Sequence, residues 1–166
     1  MGYYITGDCH AHFDKLIWLA RFNKKLGKED VIILLGDVEN KKKLADFPNY
    51  FLCIHGNHEE RPYHIQTYRT QIRRGGEVYY EPEYPNILFA KDGEIYDFDG
   101  KKAIAIGGAY SQDKEYRLIT GLPWFPDEQL DDKVKSQVEN KSADRGMDGW
   151  NCKEIRLFAM VFWTLS

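Results

Sequence analysis

Three times in its first sixty residues the chain runs through a short apolar stretch and stops at or just before a glycine, beside a polar cluster. The runs are Tyr3-Tyr4-Ile5-Thr6 before Gly7, Val31-Ile32-Ile33-Leu34-Leu35 before Gly36, and Tyr50-Phe51-Leu52-Cys53-Ile54 near Gly56. Their length and their β-branched and aromatic content predict strands, and an unbroken apolar run suits a strand covered on both faces. Between the first two, Phe13, Leu16, Ile17 and Ala20 recur at i, i+3, i+4 and i+7, one apolar face of a helix. Lys24 and Lys25 suit that helix's negative end, and Gly27 is its expected cap. Strands alternating with crossovers imply a parallel sheet in an α/β fold.

The middle of the chain has a different pattern. Val78-Tyr79-Tyr80, Ile87-Leu88-Phe89, Ile95-Tyr96-Asp97-Phe98 and Ala103-Ile104-Ala105-Ile106 predict short strands. Asp92-Gly93 and Asp99-Gly100 lie between three of them and are hairpin signals, so an antiparallel stretch is expected. A helix is predicted over 127–140, with Pro126 and Asp127 supplying its start.

Composition narrows the function classes. With 166 residues, 43% hydrophobic and 30% charged, the chain suits one globular domain spanning 1–166. A net charge of -3 supplies no broad field for nucleic acid or an anionic membrane. Cys9, Cys53 and Cys152 are odd in number and form no CxxC pair, which fits a reducing, cytoplasmic setting. No signal peptide is read, and the apolar stretch from Leu157 to Leu165 is too short to span a bilayer.

The three polar clusters carry the chemistry: Gly7-Asp8-Cys9-His10, Gly36-Asp37-Val38-Glu39-Asn40 and Gly56-Asn57-His58-Glu59. Each alone reads as a turn or a helix start. In order after three strands of one sheet, they bring Asp8, His10, Asp37, Asn57 and His58 to one crevice, where open α/β sheets bind ligands. Carboxylate, imidazole and amide oxygen favour manganese, iron or zinc. Asp37 has two oxygens with which to bridge two ions, and ions roughly 3.5–4 Å apart clamp an in-line displacement at phosphorus. His58 suits protonation of a leaving oxygen.

The order GDxH, GDxxN, GNHE resembles the signature of the calcineurin-like metallophosphoesterases over roughly residues 1–120. The resemblance implies a sandwich of two mixed sheets flanked by helices, acting on phosphate esters through two divalent ions. It implies that Asp8 and His10 bind the first metal, Asp37 bridges, Asn57 binds the second, and His58, oriented by Glu59, serves the leaving group. Gly107-Gly108-Ala109-Tyr110-Ser111, with Asp113 and Arg117, is similar to a loop of a bacterial and phage branch. Tyr110 and Arg117 are therefore candidate substrate contacts; equally, Asp113 and Arg117 could simply pair at i, i+4 on a surface helix.

The sequence departs from the family in three respects. The family pattern continues with one histidine and then a Gly-His-x-His pair, whereas no histidine here follows His64. The fold is thus expected to be incomplete at its C-terminal end, through truncation or a natural short form, with a weak second metal and impaired hydrolysis. The competing reading is a non-catalytic metal- or nucleotide-binding remnant. Asn40 and Lys41 stand where protein phosphatases place an arginine that contacts phosphate. The apolar segment 155–163 is expected either to dock on the sheet or to mediate self-association.

Overall fold

The computed structural model describes residues 1–7, 9–22, 26–143 and 159–163. The three N-terminal runs form β1 (Tyr3–Gly7), β2 (Val31–Leu35) and β3 (Tyr50–Ile54), parallel neighbours as predicted. The helix between the first two, α1, covers Asp14–Phe22. β3 then pairs in parallel with β6 (Ile87–Ala90). Two antiparallel strands, β5 (Gly76–Tyr80) and β4 (Arg69–Arg73), complete a mixed sheet of order β1-β2-β3-β6-β5-β4. The sequence reading missed β4. Its residues Arg69-Thr70-Gln71-Ile72-Arg73 lack apolar alternation because it is an edge strand with one mostly exposed apolar side chain.

A second sheet, antiparallel throughout, has the order β7-β8-β9. β7 (Ile95–Phe98) and β8 (Lys101–Ile106) are joined at Asp99-Gly100, whose φ angles of 54° and 88° give the expected hairpin. Asp92-Gly93 is not a hairpin: β6 and β7 belong to different sheets, and the chain crosses between them there. β9 (Ala159–Trp163) lies antiparallel to β8, so this part of the tail docks as a strand; residues 155–158 lie outside the described residues.

The two sheets enclose one core. Ile33, Leu52, Ile54, Val78 and Leu88 face Tyr96, Phe98, Ala103 and Ala105 across it. The opposite face of the large sheet presents Ile32, Leu34, Phe51 and Cys53 to Phe13 and to the Leu16–Ile17 side of α1. This double coverage explains the unbroken apolar runs, and each fully buried aliphatic side chain contributes about 1.5–3 kcal/mol. On the far side of the small sheet, Ile104 and Ile106 pack against Val134 and Val138 of α3 (Asp132–Ala143).

That helix starts at Asp132, not Asp127. Asp131 supplies the cap through its Oδ1, 2.8 Å from the Val134 N–H. Asp127 and Glu128 are drawn elsewhere: the Asp127 carbonyl accepts from Arg61, and Glu128 reaches Ser111. No helix among the described residues is long and apolar enough to cross a membrane.

Candidate metal centre

The ends of β1, β2 and β3 are in register, with Gly7 opposite Leu35 and Leu35 opposite Ile54, so the three following loops leave the sheet side by side. Backbone bonds tie them together. The His10 N–H donates to the Asp37 carbonyl at 2.8 Å, and the Gly36 N–H to that of Ile54 at 3.0 Å. A fourth loop, 107–113, joins them from β8 through the Gly108 N–H, 3.1 Å from the His55 carbonyl.

Backbone strain is concentrated here. Among the described residues, non-glycine positive φ occurs at His10, Ala11, Asp37 and Glu39, and otherwise only at Arg74 and Asp99 in hairpin turns. Left-handed conformations of this kind cost about 1 kcal/mol or more each and persist where surroundings enforce them, commonly at functional sites. Gly56 shows the crowding: a Cβ there would lie 1.8 Å from Asp37 Oδ1 and 2.4 Å from the Asp37 nitrogen.

Asp37 is 2% exposed, and its Oδ1 accepts the His58 N–H at 3.2 Å. Its Oδ2 lies 3.7 Å from His10 Nε2. His10 Nδ1 is 2.9 Å from Glu39 Oε1. A carboxylate only accepts, so Nδ1 carries the proton in that bond, and in neutral imidazole the Nε2 lone pair then faces Asp37. A cation shared by these two electron-rich atoms would draw them slightly closer, since donors about 2.0–2.2 Å from one ion stand roughly 3–3.5 Å apart. Carboxylate support behind a ligating histidine is usual at metal centres.

Asn57 and His58 complete the described crevice. Asn57 Nδ2 donates to Ser111 Oγ at 2.8 Å. His58 Nε2 is 3.3 Å from Arg117 Nη2, and its ring centre is 5.7 Å from that of His10. Arg117 also donates from Nε to Asp113 Oδ2 at 2.8 Å across the start of α2 (Lys114–Thr120), so the pairing expected on a surface helix coexists with contact to the crevice. Tyr110, in the same loop, is 62% exposed.

Glu59 acts differently from its expected role. Its two oxygens accept the N–H groups of Glu39 at 2.6 Å and Gly56 at 2.9 Å, tying the second loop to the third rather than orienting His58. Burial pushes its pKa up, against the lowering effect of those two donors. Asp8 lies outside the described residues. Among the described residues, no three His, Cys, Asp or Glu groups form a complete ligand cluster. The donors present, His10, Asp37 and the amide of Asn57, fit a divalent cation in kind.

Behind the crevice lies a polar cluster the sequence reading missed. His55 Nε2 is 2.5 Å from Asp92 Oδ2, while Asp92 Oδ1 accepts the Gly107 N–H at 2.7 Å. Buried Arg61 contacts the His55 ring and donates from Nε to the Asp127 carbonyl at 2.7 Å. Burial pushes the Asp92 carboxyl up, but His55, the Gly107 N–H and Arg61 outweigh it and hold the pKa below the ordinary value. His55 closes an apolar strand, and no motif spacing singles it out. Glu39 and Glu128 were visible only as unassigned acids.

The sequence model for calcineurin-like phosphoesterases matches residues 1–154. Neither the curated proteins nor the solved structures compared with the chain give a match. Members of that family are generally phosphoesterases and typically bind two divalent metal ions. With most of its length matched and its strand-end clusters converging on one crevice, the chain belongs to the calcineurin-like phosphoesterase family.

Proposed function

We propose that the chain hydrolyses phosphate mono- or diesters, with His10, Asp37 and Asp8 holding one divalent ion and Asp37 and Asn57 a second. The observation that carries this reading is the His10 arrangement: Glu39 takes Nδ1, and Nε2 faces the Asp37 carboxylate at 3.7 Å. The oxygen and nitrogen donors favour manganese, iron or zinc. When bound, such ions acidify water and offset charge on the phosphate oxygens.

The chain's own residues do the rest. Asp37 spends Oδ1 partly on the His58 N–H, which fixes the histidine's backbone beside the centre. His58 Nε2 accepts from Arg117, and a phosphate arriving in the crevice competes for that guanidinium. Arg117 then binds phosphate, and His58 Nε2 is released to hold a proton for the leaving oxygen. Tyr110 is the substrate-facing candidate of the same loop. With only Asp37 and Asn57 assigned to it, the second ion is read as the more weakly held of the two, with slow turnover as the consequence. A non-catalytic metal-binding remnant is the alternative on the same ground.

Manganese titration by calorimetry, paired with hydrolysis of an aryl phosphate and an aryl phosphodiester, tests the proposal. Manganese-stimulated hydrolysis, lost together with metal binding in Asp37→Ala, is expected. No bound manganese, or unchanged binding in Asp37→Ala, overturns the assignment. Metal binding without turnover selects the remnant reading.

A further inference from the structure

An asparagine that ligates a metal has a problem an aspartate does not. Its two amide ends are alike in size and opposite in hydrogen bonding, and only the oxygen binds a hard cation. The group that touches the Asn57 amide at 2.8 Å is the Ser111 hydroxyl. A hydroxyl alone does not discriminate, because it donates or accepts as required.

Glu128 removes that freedom. Its Oε1 lies 3.1 Å from the Ser111 N–H, and its Oε2 lies 2.5 Å from Ser111 Oγ. A carboxylate accepts only, so the single hydroxyl proton goes to Glu128 and Ser111 offers Asn57 a lone pair. The NH₂ end alone uses a lone pair. The same nitrogen lies 3.4 Å from His58 Nε2, which also faces the Arg117 donor. Two independent contacts therefore place the amide nitrogen on the Ser111 and His58 side, leaving Oδ1 as the end presented elsewhere. Asn57, Ser111 and Glu128 are 8%, 2% and 3% exposed, which leaves little room for water to substitute. Glu128 is itself held in place, its N–H bonded to the Phe125 carbonyl and the preceding carbonyl bonded to Arg61.

We propose that Ser111 and Glu128 are positioning residues that fix the Asn57 amide with its oxygen turned to the metal centre. The inference rests on the phosphoesterase reading for what that oxygen binds, but not for the orientation itself. Ser111→Ala removes the lone pair offered to Asn57. Glu128→Gln sets an amide N–H against either the Ser111 N–H or its hydroxyl, and leaves the shape of the side chain nearly unchanged.

The test uses the full chain and two readouts. Side-chain amide exchange of Asn57, followed by NMR without metal, reports orientation directly. Protected amide protons are expected in the wild type, with at least tenfold faster exchange in Ser111→Ala. Manganese affinity by calorimetry is expected to fall about tenfold to a hundredfold in Ser111→Ala, the usual effect of losing support behind a ligand, and in the same direction in Glu128→Gln. In an Asn57→Asp background, where either oxygen ligates, the dependence on Ser111 should vanish. If both variants keep wild-type exchange and wild-type affinity, the positioning role is overturned. If the wild type binds no manganese while its Asn57 protons are protected by Ser111, the orientation stands and the phosphoesterase reading alone falls.

Discussion

His10 illustrates how much of this centre depends on a residue beside the motif letters. Its identity was legible, because GDxH follows a strand. Its orientation was not, because the support comes from Glu39, which lies on another loop and is itself held in a left-handed conformation at φ 49°. The Glu39 N–H is in turn fixed by Glu59. Glu39→Gln keeps the shape but weakens the bond to Nδ1. We expect manganese affinity to fall about tenfold to a hundredfold with little change in fold. Calorimetric titration of the two proteins at one pH checks this, and equal affinities would remove Glu39 from the account. Glu59 is the clearest case of a role that sequence did not give: a carboxylate next to His58 in the chain turns back to bind two backbone N–H groups.

At the scale of elements, β2 and β3 were readable residue for residue because each is covered on both faces and so has no polar position to blur it. β4 was unreadable for the opposite reason, and the start of α3 was misread because Pro126-Asp127 resembles a helix entry, whereas the Asp127 acid is engaged by Tyr63 and His64 and its carbonyl by Arg61. The crossover at Asp92 is the junction that matters most for the centre. Asp92 joins the end of β3, through His55, to the end of β8, through Gly107. Its folded pKa is depressed, so its contribution to stability is present above the unfolded value of about 4 and fades as pH falls through the lower folded value. Asp92→Asn should therefore cost roughly 3 kcal/mol at neutral pH, as expected for breaking a buried pair. The gap from wild type should narrow in acid. Urea unfolding at pH 7 and at pH 3 measures both; a gap that is constant with pH would show that the charge on Asp92 is not what stabilises the junction.

The whole molecule is a stack of α1, the mixed sheet, the antiparallel sheet and α3, and the family match ends at residue 154, before β9. β9 pairs along β8 from Lys102 to Ile106, so its removal turns β8 into an open edge. A chain ending at Asn151 is expected to melt several degrees lower, at roughly 2–4 °C per kcal/mol lost. It should also show higher scattering mass as the open edge finds a second copy. A shorter chain that is equally stable and equally monomeric would show that the strand contributes neither. The bonds between the 107–113 loop and the residues that follow β3 carry a further consequence, for synthesis. The candidate donors His10, Asp37 and Asn57 leave the ribosome early, yet Gly107, Gly108, Ser111 and Glu128 emerge long after them. Translation order and completion of the crevice are thus separated by about half the chain. During that interval the first loops have their glycines and left-handed turns but not the contacts that fix them, and a nascent chain should acquire selective metal affinity only once the segment through Glu128 has been released.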